Sequence, residues 1–193
     1  MTRRLIVGVT GASGAVLALE TLRQLAQAKA ETHLVVSRGA EPTIRHELGH
    51  AALADFSALA TWTHSPDNLA APIASGSFRS DGMIVVPCSM RSLAAIAHGF
   101  GENLVARAAD VTLKEKRCLV IAPREAPLHE GHLSSMLALA RMGAIIAPPV
   151  PPFYARPSSF EDVIREIAAR LVNWVGVDPG GQMTRWNGDS QQR

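Results

Sequence analysis

Arg107, Lys114, Arg124 and Arg170 are cations set among apolar neighbours in this 193-residue chain. An unpaired cation in such surroundings is costly, so something anionic must meet them. Asp110 and Glu115 offer ordinary ion pairs to Arg107 and Lys114, and for Lys114 alone that is the better reading. A bound phosphate ester is the other. Glu125, beside Arg124 and ahead of Pro127, has the place of an acid/base group or of a salt partner.

Leu5-Ile-Val-Gly-Val-Thr-Gly-Ala-Ser-Gly14 passes from an apolar strand through a glycine loop into the apolar-periodic stretch Ala15 to Leu25. Small residues let the backbone approach an anion, and the N–H groups opening the next helix point at it with the positive end of the dipole behind them. The loop lacks the Lys-Ser/Thr ending of a nucleoside-triphosphate site and the glycine spacing of a dinucleotide site. It therefore specifies a phosphate ester and no more, and tight packing alone is its structural alternative. Hydroxyl or cationic residues follow four of the predicted strands: Thr10 and Ser13, Ser37 and Arg38, Ser89 to Ser92, and Arg124 with Glu125. Singly these are turn and cap residues; together, on one sheet edge, they form a polar rim around one crevice. His129, Glu130 and His132 lack metal-ligand spacing and fit a helix N-terminus better.

Elements that would position these groups alternate along the chain. Leu5 to Val9, His33 to Val36, Met83 to Pro87, Leu119 to Ala122 and Ala144 to Ala147 read as strands. Ala15 to Ala28, a stretch up to about His46, Ser92 to Ala97, Ser134 to Arg141 and Phe160 to Val175 read as helices, the last with Phe160, Val163, Ile164, Ile167, Leu171 and Trp174 on one stripe behind a Ser158-Ser159 cap. Asp55 to Ser80 reads as polar and irregular. The pattern predicts an α/β fold, a mostly parallel sheet with helices on both faces and its ligand crevice beyond the carboxyl ends of the strands. One domain, residues 1–177, is expected, with a loosely held tail at 178–193 apart from Trp186. The prolines from Pro148 to Pro152 stiffen the exit from the last strand and fix where Phe153 and Tyr154 sit.

With 47% apolar side chains the chain fills one core, and its net charge of +2 comes from 19 basic and 17 acidic residues without basic runs, which argues against nucleic acid. Cys88 and Cys118 read as free thiols of a reduced, cytoplasmic protein, and no segment reaches membrane-spanning length. The mean hydropathy of +0.11 points to apolar surface hidden between subunits.

Side by side, Gly8-Val-Thr-Gly-Ala-Ser-Gly14, Ala74-Ser-Gly-Ser-Phe78, Pro87-Cys-Ser-Met-Arg-Ser-Leu93, Arg107-Ala-Ala-Asp-Val-Thr-Leu-Lys-Glu115, Pro123-Arg-Glu-Ala-Pro-Leu128 and Pro148 to Pro157 resemble the flavin prenyltransferase family of the UbiX type. The resemblance implies a flavodoxin-like subunit, usually in a dodecamer with sites between subunits. It implies transfer of a dimethylallyl group from dimethylallyl monophosphate to N5 and C6 of reduced FMN, without a metal, giving prenylated FMN for UbiD-type decarboxylases, often in ubiquinone biosynthesis. By position it assigns FMN contacts to Gly11, Ala12, Ser13, Ser37, Ser89, Met90, Arg91, Ser92 and Arg124. The allylic phosphate falls to Lys114, Tyr154 and Arg170, with Arg107 and Arg124 close by. Glu125 resembles the acid/base residue and Glu47 a further carboxylate near the flavin; with Lys114, Tyr154 and Ser13 they form the expected catalytic set. Trp186 resembles an aromatic that closes over the prenyl end. No D-D-x-x-D stretch is present for magnesium-diphosphate chemistry, so ionisation would rest on Arg, Lys and Tyr donors. Arg91-Ser92 stands where Lys-Thr is common in that family. An FMN-dependent decarboxylase of the cysteine-decarboxylase type and a non-catalytic flavin carrier are the competing readings.

Overall fold

The computed structural model describes residues 2–186 and 188. Its central strand, β1 (Arg4–Val9), is buried at every position after Arg4, as a strand covered on both faces must be. It pairs in parallel with β2 (Glu31–Val36) on one side and β4 (Gly82–Cys88) on the other. With β3 (Trp62–His64), β5 (Cys118–Pro123) and β6 (Ile145–Ile146), the described strands form a parallel sheet of order β3-β2-β1-β4-β5-β6. The chain builds outward from β1 in one direction and from β4 in the other. A crevice therefore opens where the order reverses, beyond the carboxyl ends of β1 and β4.

Side chains alternate across the sheet with the period of two that strands impose. Leu5, Val7, Leu34, Ile84 and Val120 face one layer, built by α1 (Ala15–Gln27), α2 (Ala40–Leu48), α3 (Ala52–Leu59) and α7 (Phe160–Trp174). Ile6, Val35, Met83, Val85 and Ile121 face the other, built by α4 (Met90–Ala97), α5 (Leu104–Lys114) and α6 (Glu130–Arg141). Ser159 caps α7 in a reciprocal capping box with Asp162, so the cap read from Ser158-Ser159 falls on its second residue. No helix among the described residues is long and apolar enough to cross a membrane.

Four expectations need correction. The span read as irregular contains α3, held by fully buried Phe56, and the edge strand β3, whose Trp62 is 57% exposed and so gives no apolar alternation. Helix α5 went unread because Ala106, Ala108 and Ala109, small enough to pack against the sheet, blur its apolar stripe. Phe160 and Trp174, at the ends of α7, lie outside its buried stripe, Phe160 largely in solvent and Trp174 partly so. The tail is not loose through Trp186: the Thr184 N–H and hydroxyl both donate to the carboxylate of Glu166.

Candidate active site

The rim residues do gather at the carboxyl edge. Gly11 packs so closely on Gly39 that an added Cβ would stand 2.6 Å from its carbonyl oxygen, and Gly14 takes a φ of +111°, where side chains are strained. Thr10 is buried and ties the two central strands together: its Oγ1 donates to Pro87 O at 2.8 Å and accepts from Ser89 N at 2.7 Å. It is a structural residue, not a ligand contact. Ser37 N donates to Val9 O and Arg124 N to Cys88 O, so the backbone itself fixes the rim. Ser89 caps α4, its Oγ accepting from Ser92 N.

Between these elements lies a crevice of about 380 Å³ lined by Gly11, Ser37, Gly39, Ser89, Arg91 and Ser92, among others. The N–H groups of Met90 and Arg91 in the first turn of α4 have no partner among the described residues. Free amides at a helix N-terminus, serine hydroxyls and an exposed guanidinium suit a phosphomonoester carrying a polyol chain, which is the chemistry of the FMN tail. Ala12, by contrast, is buried and offers only its backbone. Asp67 and Pro66, from the region no motif explained, also line the crevice; Asp67 holds Arg38 through Nη2 at 2.7 Å and Pro66 O accepts from Leu104 N at 2.8 Å.

The helix amides expected to be free for an anion at the glycine loop are not free. Glu47, reaching across from α2, accepts from Gly14 N at 3.0 Å and from Ala15 N at 2.8 Å. Burial opposes its charge, but the Ser13 hydroxyl, those two amides and the Arg124 guanidinium outweigh it and hold the carboxyl below the ordinary value near 4.5. Glu47 is thus an ionised cap on α1, delivered by another helix because Gly14 has no side chain to cap with. Arg124 joins the same group, its Nε donating to Ser13 O at 3.0 Å. Glu125 is exposed next to it and accepts from Ala126 N through one oxygen at 3.0 Å.

Tyr154, Arg170 and Trp186 come together elsewhere, along the flank of α7. The Arg170 guanidinium donates to Tyr154 Oη and lies 5.3 Å from the centre of its ring. Tyr154 Oη donates to Thr184 O at 3.1 Å, and the Trp186 ring meets the Tyr154 ring edge-on at 5.9 Å. Pro151 and Pro152, with Ile167 and Trp174, wall an apolar pocket of about 290 Å³ that Tyr154 and Arg170 border. Buried Arg170 Nε has no partner in the described residues. Glu166, which anchors Thr184, was missed; an acid one turn before Arg170 on an amphipathic helix gives no sequence signal of burial.

Arg107 and Lys114 occupy a third place. Arg107 donates to Ala74 O at 3.1 Å and to Asp110 at 3.0 Å, and Lys114 pairs with Glu115, so the ordinary ion pairs exist. Both face the 74–80 segment: an added Cβ at Gly76 would lie 2.6 Å from Lys114 Nζ. Helix α5 runs antiparallel to the strands and ends at Lys114, just before β5 begins, which puts Lys114 at the amino edge of the sheet. The expected single crevice is therefore divided within one chain. The carboxyl-edge crevice and the pockets at Tyr154 share no lining residue.

Among the described residues no cluster of His, Cys, Asp and Glu could hold a metal, and His129 caps α6, its Nδ1 accepting from Gly131 N. Burial pushes the Cys88 thiol far up, which leaves it inert.

A parallel sheet that reverses beside a phosphate-suited crevice defines a nucleotide-binding flavodoxin-like protein. Residues 1–172 match the family described as Flavoprotein. Flavin prenyltransferase UbiX of Archaeoglobus fulgidus is 49% identical over 175 residues, covering 91% of this chain and 96% of that protein. The crystal structure of AnUbiX in complex with FMN and dimethylallyl pyrophosphate superposes with a TM-score of 0.93 at 49% identity, covering 97% of this chain and 99% of that one. A dodecameric FMN-dependent UbiX-like decarboxylase from Escherichia coli O157:H7 does so at 0.91 and 48% identity, covering 96% and 100%. This chain belongs to the UbiX flavin prenyltransferase family.

Proposed function

We propose that this protein transfers a dimethylallyl group from dimethylallyl monophosphate to reduced FMN, and that a UbiD-type decarboxylase receives the product. Reduced FMN supplies the electron-rich N5 and C6 that take the allylic carbons. The crevice residues Gly11, Ser37, Ser89, Arg91 and Ser92 would hold its phosphate and polyol chain, and Arg124 and Ser13 would border the ring. The observation that carries the reading is the grouping of Tyr154, Arg170 and Trp186 on a chain of this family: a phenol, a cation and an aromatic face around an apolar pocket.

Each chemical requirement then has a residue. Arg170 and Tyr154 Oη donate to the leaving phosphate and stabilise charge as the C–O bond breaks. Trp186 shelters the allylic fragment and the proline wall excludes water. Lys114 and Arg107 add positive charge from a neighbouring chain, since in their own chain they face the 74–80 segment. Glu125, which among the described residues accepts from the adjacent amide through one oxygen and leaves the other open, would accept the proton released as N5 is alkylated. Glu47 keeps α1 and Ser13 in place rather than moving a proton. The assembly is a homo-oligomer, a dodecamer by likeness to its relative.

Anaerobic incubation with reduced FMN and dimethylallyl monophosphate, followed by weighing the extracted flavin, tests this. A gain of one C5H8 unit with release of phosphate is expected; an unchanged flavin mass overturns it.

A further inference from the structure

Glu166 is 8% exposed and lies one turn before Arg170 on α7. A buried carboxylate without donors is costly, and among the described residues a side chain and amide of the tail, both from Thr184, answer this one. Thr184 N donates to its two oxygens at 3.0 and 3.1 Å, and the Thr184 hydroxyl donates to it as well. On the opposite side of that residue, Thr184 O accepts from Tyr154 Oη at 3.1 Å, and the same phenol accepts from Arg170. Two residues further on, Trp186 rests edge-on against the Tyr154 ring.

We propose that Glu166 is a positioning residue for the wall that binds the allylic phosphate: by clamping Thr184 it sets the places of Tyr154 Oη and Trp186. The inference rests on the proposed role of Tyr154, Arg170 and Trp186. In the free protein the phenol proton points at Thr184 O. A phosphate bound by Tyr154 takes over that proton, and the tail then loses its tie to the phenol. The bonds from Thr184 N and Oγ1 to Glu166 involve neither Tyr154 nor the phosphate, so they hold Trp186 over the site while Tyr154 is engaged. Thr184 thus has one tie that substrate replaces and one that it leaves alone.

Hydrogen exchange of the FMN-loaded protein, read peptide by peptide, tests the clamp without turnover. Glu166→Gln removes the charge and one acceptor. Amides from 180 to 186 are expected to exchange at least tenfold faster while sheet peptides stay unchanged. In turnover, KM for dimethylallyl monophosphate rises about tenfold, kcat stays within about threefold, and FMN retention is unaltered. Thr184→Ser keeps both donors and behaves as wild type, whereas Thr184→Val lies between. Unchanged tail exchange in Glu166→Gln overturns the clamp, as does faster exchange spread over the whole sheet or a Thr184→Ser variant as impaired as Thr184→Val. A wild-type protein that does not alkylate flavin overturns the proposed function, and with it the purpose of the clamp, even where the tail opens as expected.

Discussion

The carboxyl-edge crevice and the α7 flank are built in different ways. In the crevice, main-chain groups do most of the holding: Thr10 N and Ser37 N donate to strand carbonyls, Arg124 N to Cys88 O, and Glu47 seals the amides that open α1. On the flank, Tyr154, Arg170 and Trp186 are held by side chains on one another and on a tail segment. Main-chain ties come with the sheet and survive most side-chain substitutions, so the frame of the crevice is set by the fold itself. The flank is an exposed set of donors, and the function proposed above has another subunit complete it. The 74–80 segment resembles the flank, being held by Arg107, Arg117 and Arg4 through its carbonyls.

Mixing variants breaks or confirms this division with the largest effect. Lys114→Ala and Tyr154→Phe each remove a donor to developing negative charge and should lower turnover by roughly 10²-fold while FMN stays bound. Co-expressed in one oligomer, the two should restore activity to about a quarter of wild type, the random-mixing value when each site draws Lys114 and Tyr154 from different chains. Turnover of the purified mixed oligomer measures it. No recovery would mean that both residues reach a site from the same chain.

What could be read beforehand follows the same division. The parallel sheet and the rim at Ser37, Ser89 and Arg124 were legible because continuous apolar strands ending in small and hydroxylic residues are local patterns, whereas the strand order that sets the switch point is not. Glu47's cap on α1 was not, since residues 33 positions apart share no local signal. Nor was the separation of Lys114 from Tyr154: motif resemblance groups residues by the reaction they serve, whereas helix direction decides where each one stands in a single chain. Helix α5 and strand β3 escaped for packing reasons, alanines in one and an exposed edge in the other.

Glu47→Gln probes the crevice half. It leaves one acceptor for two amides and removes the charge at the N-terminus of α1, a loss of about 1 kcal/mol after discounting for solvent exposure. Because the folded carboxyl is held below its ordinary value, the contribution is complete above about pH 4.5 and disappears as the pH falls through the lowered value. Urea denaturation should therefore separate wild type from Glu47→Gln at pH 7 and bring them together once the pH has fallen below that lowered value. A gap that persists in acid would mean that shape rather than charge matters at this position.

The smallest effect concerns the 74–80 segment. His33, 4% exposed, stands 2.9 Å from His64 through its Nδ1 and 3.2 Å from Glu31 through its Nε2, and its ring meets Phe78 edge-on at 5.0 Å. Burial pushes both imidazoles below 6.5, while Glu31 pulls His33 up and Arg4 and His33 act as like charges on the pair. The shared His33–His64 hydrogen bond needs one donor and one acceptor, so a proton on both rings breaks it. The unfolded chain then binds more protons than the folded one once the pH drops below 6.5, and stability falls in that direction. Between pH 7.5 and 5.5, Tm should drop by roughly 2–4 °C, the change that about 1 kcal/mol makes in a chain of this size. His64→Gln should flatten that slope, and an equal slope in the variant would place the acid sensitivity elsewhere. Because Phe78 lies in the segment that faces Lys114, the same acidification should weaken turnover before it releases FMN from the crevice, where no histidine lines the wall.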